Sequence, residues 1–195
     1  MNDLLLPMDD AGTPLTADER EGLIPAYITL RGELNAAEQR NILEAQKWAF
    51  ARRRDVLDEL FLNGLHKRMF GNVWRWAGTH RQTAKTVGVD AYRIPVELRQ
   101  LLGDARYWIA HGTYEPDEIT ARFHHRLVWI HCYPNGNGRH ARLATDLLLV
   151  QLDRPPFTWG SANLTNAGET RQRYVEALRA ADAHDYAPLL AFARS

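Results

Sequence analysis

One cysteine, Cys132, stands in the whole chain of 195 residues, so no internal disulfide can form. That usage fits a reducing compartment, and a cytoplasmic location is expected. An excess of either charge is also missing. The 24 Lys and Arg balance the 24 Asp and Glu, whereas a dedicated nucleic-acid binder carries a basic surplus. Nucleic acid is therefore not expected as a partner. No run approaches the ~18 uninterrupted apolar residues of a membrane helix. Residues 1–7 lack the basic start and long apolar stretch of a signal peptide, so no membrane partner is expected either. No repeat or low-complexity tract stands out. What remains is a chain with 45% hydrophobic and 25% charged residues, the composition and length of one globular domain with a real core.

Punctuation by Pro7, Gly12, Pro14, Gly22 and Pro25 marks residues 1–28 as an irregular arm. Asn35 and Glu38 have the spacing of a capping box. Ile42, Ala45, Ala49, Val56 and Leu60 recur behind them at helical intervals, which predicts one long helix over roughly residues 36–60. Residues 72–94 show no helical stripe. Thr83, Thr86, Val87 and Val89 around Gly88 and Asp90 predict a short hairpin. Further helices are expected from Pro95, from Pro116 to about 130, over residues 139–152, from 168 or 169 to 183, and near the C-terminus. Trp48, Trp74, Trp76, Trp108 and Trp129 are expected in the core. The sum is a mostly α, helical-bundle fold with one small hairpin.

Between two of these helices lies the segment that carries chemistry: His131, Cys132, Tyr133, Pro134, Asn135, Gly136, Asn137, Gly138, Arg139, His140, Ala141 and Arg142. Gly136 and Gly138 let the backbone turn tightly and approach a ligand. The loop runs into a helix N-terminus, where unpaired N–H groups and the helix dipole favour an anion. Asn137 adds an amide donor. Arg139 and Arg142, three apart, share a face of the first turns. Two cations there oppose the dipole, and a polyphosphate held by guanidinium forks relieves the conflict. His131 is a candidate proton acceptor near neutral pH. Each feature alone has a structural alternative, a turn or a solvated arginine. A metal site among His124, His125, His131 and His140 is a further alternative, and Cys132 reads as a packed thiol.

The segment resembles the signature of the Fic family, His-x-Phe-x-(Asp/Glu)-Gly-Asn-Gly-Arg-x-x-Arg, at His131, Gly136, Asn137, Gly138, Arg139 and Arg142. Tyr133 replaces the Phe and Asn135 replaces the acid. Residues 123–130, 70–78 and 174–182 also look like family segments, so the resemblance covers about residues 29–193. Within the family the chain looks most like the subgroup called mobile mystery protein B, associated with mobile elements.

The resemblance implies a Fic fold over 29–195 and a protein adenylyltransferase that moves AMP from ATP to a Ser, Thr or Tyr hydroxyl of a target protein. His131 is then the general base. Gly136, Asn137, Gly138, Arg139 and Arg142 bind the ATP phosphates, and Asn135 stands where a carboxylate helps hold Mg²⁺. The hairpin becomes a flap whose residues Thr83, Ala84, Lys85, Thr86 and Val87 dock the target by strand pairing. Tyr174 flanks the adenine or packs in the core. An inhibitory segment is implied around 29–35: Thr29 and Glu33 keep the spacing of the family's inhibitory motif, with Glu33 set to pair with Arg142, or else Glu33 is a solvated helix-start residue. Open alternatives are removal of AMP, another phosphoryl transfer, and an inactive toxin-like binding module. A second copy of the chain and a separate antitoxin are the other partners left open.

Overall fold

The computed structural model describes residues 21–161 and 167–195. Residues 1–20, most of the predicted arm, lie outside that range. The last residues of the arm are anchored: Leu23 pairs with Trp74 in an isolated antiparallel bridge, flanked by Ile24 N–H to Val73 carbonyl (2.8 Å) and Arg75 N–H to Gly22 carbonyl (2.9 Å).

Seven α-helices follow among the described residues: α1 (Arg31–Phe50), α2 (Glu59–Phe70), α3 (Ile94–His111), α4 (Pro116–Ile130), α5 (Asn137–Gln151), α6 (Ala167–Asp182) and α7 (Ala187–Arg194). A 3₁₀ turn, Ala91–Arg93, leads into α3. Pro95 and Pro116 sit in the first turns of α3 and α4, where a missing N–H costs nothing. α1 packs on α2, α3 on α4, α4 on α5, and α6 on α7. The main core joins α1 to α5 through Leu62, Leu65, Phe70, Leu98, Phe123 and Ile130. A second, smaller core under α6 and α7 gathers Leu149, Phe157, Trp159, Tyr174, Leu189 and Phe192.

The single long helix expected over 36–60 is two helices. α1 starts at Arg31, with Glu33 accepting the N–H groups of Thr29 (2.9 Å) and Leu30 (3.2 Å). Asn35 and Glu38 are therefore not a capping box; both are buried within α1. The break at 51–58 is made by tertiary and capping bonds. Arg53 donates to the Gln151 carbonyl on α5, and Asp58 caps α2 by accepting the Leu60 N–H at 2.8 Å. Trp74 is buried and Trp48, Trp76 and Trp108 pack against the core, but Trp129 is 39% exposed, with the Arg126 guanidinium 4.0 Å above its ring.

The expected hairpin is the second correction. Residues 79–90 carry no strand; they form an open loop. Within it, the carbonyls of Thr83 and Val89, at the two ends of the 83–89 stretch, both accept from the Arg81 guanidinium. A side chain thus closes the loop and takes acceptors that a two-strand ladder would have used.

Candidate active site

His131 ends α4. Its backbone is left-handed (φ 56°) and forms the helix C-cap, a conformation that costs a non-glycine residue roughly 1–3 kcal/mol. The strain turns the chain so that α5 begins only six residues later. The imidazole is half-buried, and its pKa is lowered by burial, then by the Arg81 cation and by Lys85, against a backbone contact at Val128 that raises it. A neutral ring can accept a proton. Burial pushes the neighbouring Cys132 thiol up to about 12, so it has no nucleophilic character near neutral pH.

The loop after His131 is fastened to α2. Tyr133 stacks on His66 (ring centroids 3.7 Å apart), and its hydroxyl donates to Asn63 Oδ1 at 2.9 Å. His140 Nε2 lies 3.0 Å from the Leu62 carbonyl. Gly136 takes φ 79°, and a Cβ there would stand 2.6 Å from the Phe70 ring. Only glycine meets both demands.

His66 was not singled out in the sequence, yet it links two parts of the site. Its Nδ1 accepts the Gly78 N–H at 3.0 Å, so the proton sits on Nε2, which donates to the Asn135 carbonyl at 3.1 Å. Burial holds its pKa well below the usual value. One neutral ring thereby joins the catalytic loop to the start of the 79–90 loop. The signal was present in outline: Leu62, Leu65, His66, Met69 and Phe70 form one buried stripe, and His66 is its only polar member.

α5 starts at Asn137 with Gly136 as its N-cap. N–H groups of a first helical turn have no partner four residues back. A Cβ built on Gly138 would meet no heavy atom within 4 Å, so the backbone there is approachable. Asn137 serves differently from the expectation. Its side chain is buried, with Oδ1 accepting the Tyr133 N–H (2.9 Å) and Nδ2 donating to the Tyr133 carbonyl (2.8 Å). The amide shapes the loop with one donated and one accepted bond; its backbone N–H belongs to the first turn of α5. Asn135 is exposed, and its Oδ1 accepts the Gly136 N–H at 2.7 Å.

The two arginines diverge. Arg139 reaches toward α1 and α2, where its Nη1 is 2.6 Å from Glu38 Oε2 and its guanidinium lies 4.9 Å from the Phe70 ring centre. Glu38 Oε1 also accepts from Trp74 Nε1 at 2.6 Å. Arg142 turns to the second core, its guanidinium 4.4 Å from the Tyr174 ring centre and 5.7 Å from that of Trp159. Positions three apart on a helix differ by about 60° around its axis, enough for long side chains to find separate partners. Among the described ion pairs, Glu38 on Arg139 joins a carboxylate to one of these two arginines. Glu33, expected on Arg142, is exposed and spends Oε2 on the start of α1, and those two backbone bonds lower its pKa.

Tyr174 lies in the second core. It is 7% exposed, and its hydroxyl meets His124 Nε2 at 2.8 Å. Behind it, Asp146 accepts from Trp159 Nε1 at 3.0 Å and from the Phe157 N–H at 3.2 Å, and burial pushes its carboxyl up to about 7. Thr83, Ala84, Lys85, Thr86 and Val87 are all exposed. Within residues 82–88 the backbone contributes one acceptor to the described hydrogen bonds, the Thr83 carbonyl, which leaves an open main-chain edge. Gly88 brings that edge onto His131: a Cβ on it would stand 2.5 Å from His131 Cβ.

The chain is similar to known proteins. Residues 56–149 match the Fic/DOC family. The chain is 29% identical over 132 residues to "Protein adenylyltransferase Fic" of Nematostella vectensis, covering 66% of this chain and 29% of that protein. It is 30% identical over 132 residues to "Protein adenylyltransferase fic-1" of Caenorhabditis elegans, covering 66% of this chain and 25% of that one. The chain therefore spans under a third of the length of these relatives. The crystal structure of the effector protein BepC of Bartonella tribocorum, which has AMPPNP bound, superposes with a TM-score of 0.67 at 16% identity, over 90% of this chain and 95% of that one. That likeness concerns the fold.

Proposed function

The chain belongs to the Fic/DOC family through residues 56–149, and we propose that it transfers AMP from ATP to a Ser, Thr or Tyr hydroxyl of a target protein. The observation that carries this is the placement of a half-buried, neutral-leaning His131 directly before a glycine-lined helix N-terminus. The first turn of α5 and Arg139 receive the phosphates. His131 takes the proton of the target hydroxyl, whose oxygen attacks the α-phosphorus. The bond from the α-phosphorus to the bridging oxygen breaks, and pyrophosphate leaves. The target chain lies along the open edge at 83–87, paired through its main chain.

Mg²⁺ bound with ATP would offset charge on its phosphates. Among the described residues no three His, Cys, Asp or Glu side chains form a cluster for a metal. Mg²⁺ commonly keeps waters and phosphate oxygens as ligands. The Asn135 amide oxygen fits as one neutral ligand beside them.

The resting protein is restrained, and Glu38 is the residue that restrains it. Its buried carboxylate neutralises Arg139, so ATP must displace or share that partner. This geometry supports Glu38 in the inhibitory role expected of Glu33. The reaction is tested with ATP labelled at the α- or the γ-phosphate: adenylyl transfer deposits the α label on protein, and deposition of the γ label alone refutes it.

A further inference from the structure

Arg81 is a buried cation whose recorded bonds all go to backbone. It is 2% exposed, and none of the described ion pairs contains it. Its guanidinium donates to four carbonyls: Nε to His131 (2.7 Å), Nη1 to Thr83 (2.9 Å), and Nη2 to Val89 and Ile130 (3.4 Å). Its own N–H donates to the Cys132 carbonyl at 2.9 Å. One residue thus holds both ends of the 83–89 loop and three consecutive carbonyls at 130–132.

Burying an unpaired charge is costly, so the location needs a reason. Two lie in the geometry. The carbonyls of Ile130 and His131 end α4, where the helix dipole is negative and a cation is favoured. α4 has no basic residue in its own last turn, and Arg81 supplies the charge from another part of the chain. A guanidinium also presents donors in a rigid plane, so it can fix several acceptors at once, which a lysine ammonium on a flexible stem cannot. Gly88 completes the joint by letting the loop rest on His131.

We infer that Arg81 is a positioning residue for the transfer, fastening the target-docking loop to the catalytic histidine so that the docked hydroxyl and the base keep one spacing. This rests on the proposed reaction for the roles of His131 and the loop. Arg81 acts on His131 and on residues 83–89, not on the cradle, so it affects the chemical step and target docking while leaving nucleotide binding alone. The charged groups recorded as acting on His131 are Arg81 and Lys85, with Val128 contributing from α4.

The test compares the wild-type chain with Arg81→Gln and Arg81→Lys. For each, AMP transfer is followed across pH, ATP affinity by calorimetry, the His131 ring titration by NMR, and amide exchange over residues 83–89. Arg81→Gln is expected to lose at least tenfold in transfer with ATP affinity within about twofold. Its His131 titration and acid limb should move to higher pH, and the loop amides should exchange faster. Arg81→Lys keeps the charge, so its titration stays near wild type while transfer still falls. If the Arg81 variants do not fold, Gly88→Ala carries the test, since its Cβ pushes on both His131 and Arg81. It too should lose transfer and loosen the loop at unchanged ATP affinity. Unchanged His131 titration and loop exchange in Arg81→Gln, or an unperturbed Gly88→Ala, overturns the inference. Should the wild type transfer no AMP at all, the proposed reaction fails, and titration and exchange still decide the role of Arg81.

Discussion

Glu38 and Arg139 are 101 residues apart in the chain and meet in a 2.6 Å ion pair, with side chains only 3% and 10% exposed. The glutamate is held from its other oxygen by Trp74. The pair joins α1 to the first turn of α5, where the nucleotide is expected to bind.

Glu38→Gln separates two consequences of that contact. Removing one partner of a buried pair typically costs about 3–5 kcal/mol because the other charge is left uncompensated. The free variant should therefore melt earlier than wild type. ATP phosphates supply the missing negative charge, so calorimetry should show tighter ATP binding, and the ATP-induced rise in melting temperature should exceed that of wild type. Glu33→Gly, by contrast, removes two exposed backbone bonds at the start of α1 and leaves Arg139 paired; ATP affinity should not change. The reverse pattern would return the restraining role to Glu33.

Asn135→Asp concerns the metal. Either side chain can accept the Gly136 N–H, so the loop should keep its shape. The carboxylate adds a charged oxygen ligand of the kind Mg²⁺ prefers. The Mg²⁺ concentration for half-maximal transfer should fall several-fold, measured in the Glu38→Gln background so that restraint does not mask the change. An unaltered Mg²⁺ dependence would mean that position 135 does not face the metal.

Three buried histidines make the fold acid-sensitive. Burial lowers the pKa of His66 well below its usual value, of His124 to about 3 and of His140 to about 4. Their folded pKa values lie below the unfolded ones. The stability they contribute is fully present above about pH 6.5 and is lost as pH falls, by up to about 1.4 kcal/mol per histidine for each pH unit. Asp146 works the other way. Its folded pKa, about 7, exceeds its ordinary value of 3.8, so its contribution is intact below pH 3.8 and declines as pH rises toward 7. Urea midpoints should therefore drop between pH 6.5 and 5 in wild type. The stability gained by Asp146→Asn over wild type should grow from pH 4 to 7, and a pH-independent difference would contradict the assignment.

The helices were legible because their signals are local: Pro95 and Pro116 open α3 and α4, and apolar stripes mark their buried faces. The loop of the candidate site was legible as a unit for the same reason, because residues 131–142 form one stretch of twelve. What failed depended on distant partners. The break between α1 and α2 rests in part on Arg53 reaching a carbonyl 98 residues away, and the local run Ala51, Arg52, Arg53, Arg54 contains only good helix formers. The loop at 79–90 has strand-like residues, but the Arg81 side chain captures the carbonyls at both ends of its 83–89 stretch. Glu33 is expected from a short motif; in the structure its carboxylate accepts two N–H groups at the start of α1, and Glu38, five residues further on, meets Arg139. Arg81 acts through backbone carbonyls and His66 through the Gly78 N–H and the Asn135 carbonyl; a buried stripe hints at His66's burial, but residue types do not record the bonds it makes.

In the proposed reaction His131 activates a protein hydroxyl toward the α-phosphate of ATP. The most direct test of this claim is intact-mass spectrometry of the Glu38→Gln protein, with candidate targets in a lysate, after incubation with ATP and Mg²⁺, beside the Glu38→Gln/His131→Ala double variant. An added AMP on protein is expected in the first and not in the second, with ATP affinity equal in the two. AMP addition that persists without His131, or a mass gain of phosphate alone in the His131-containing protein, would contradict the claim.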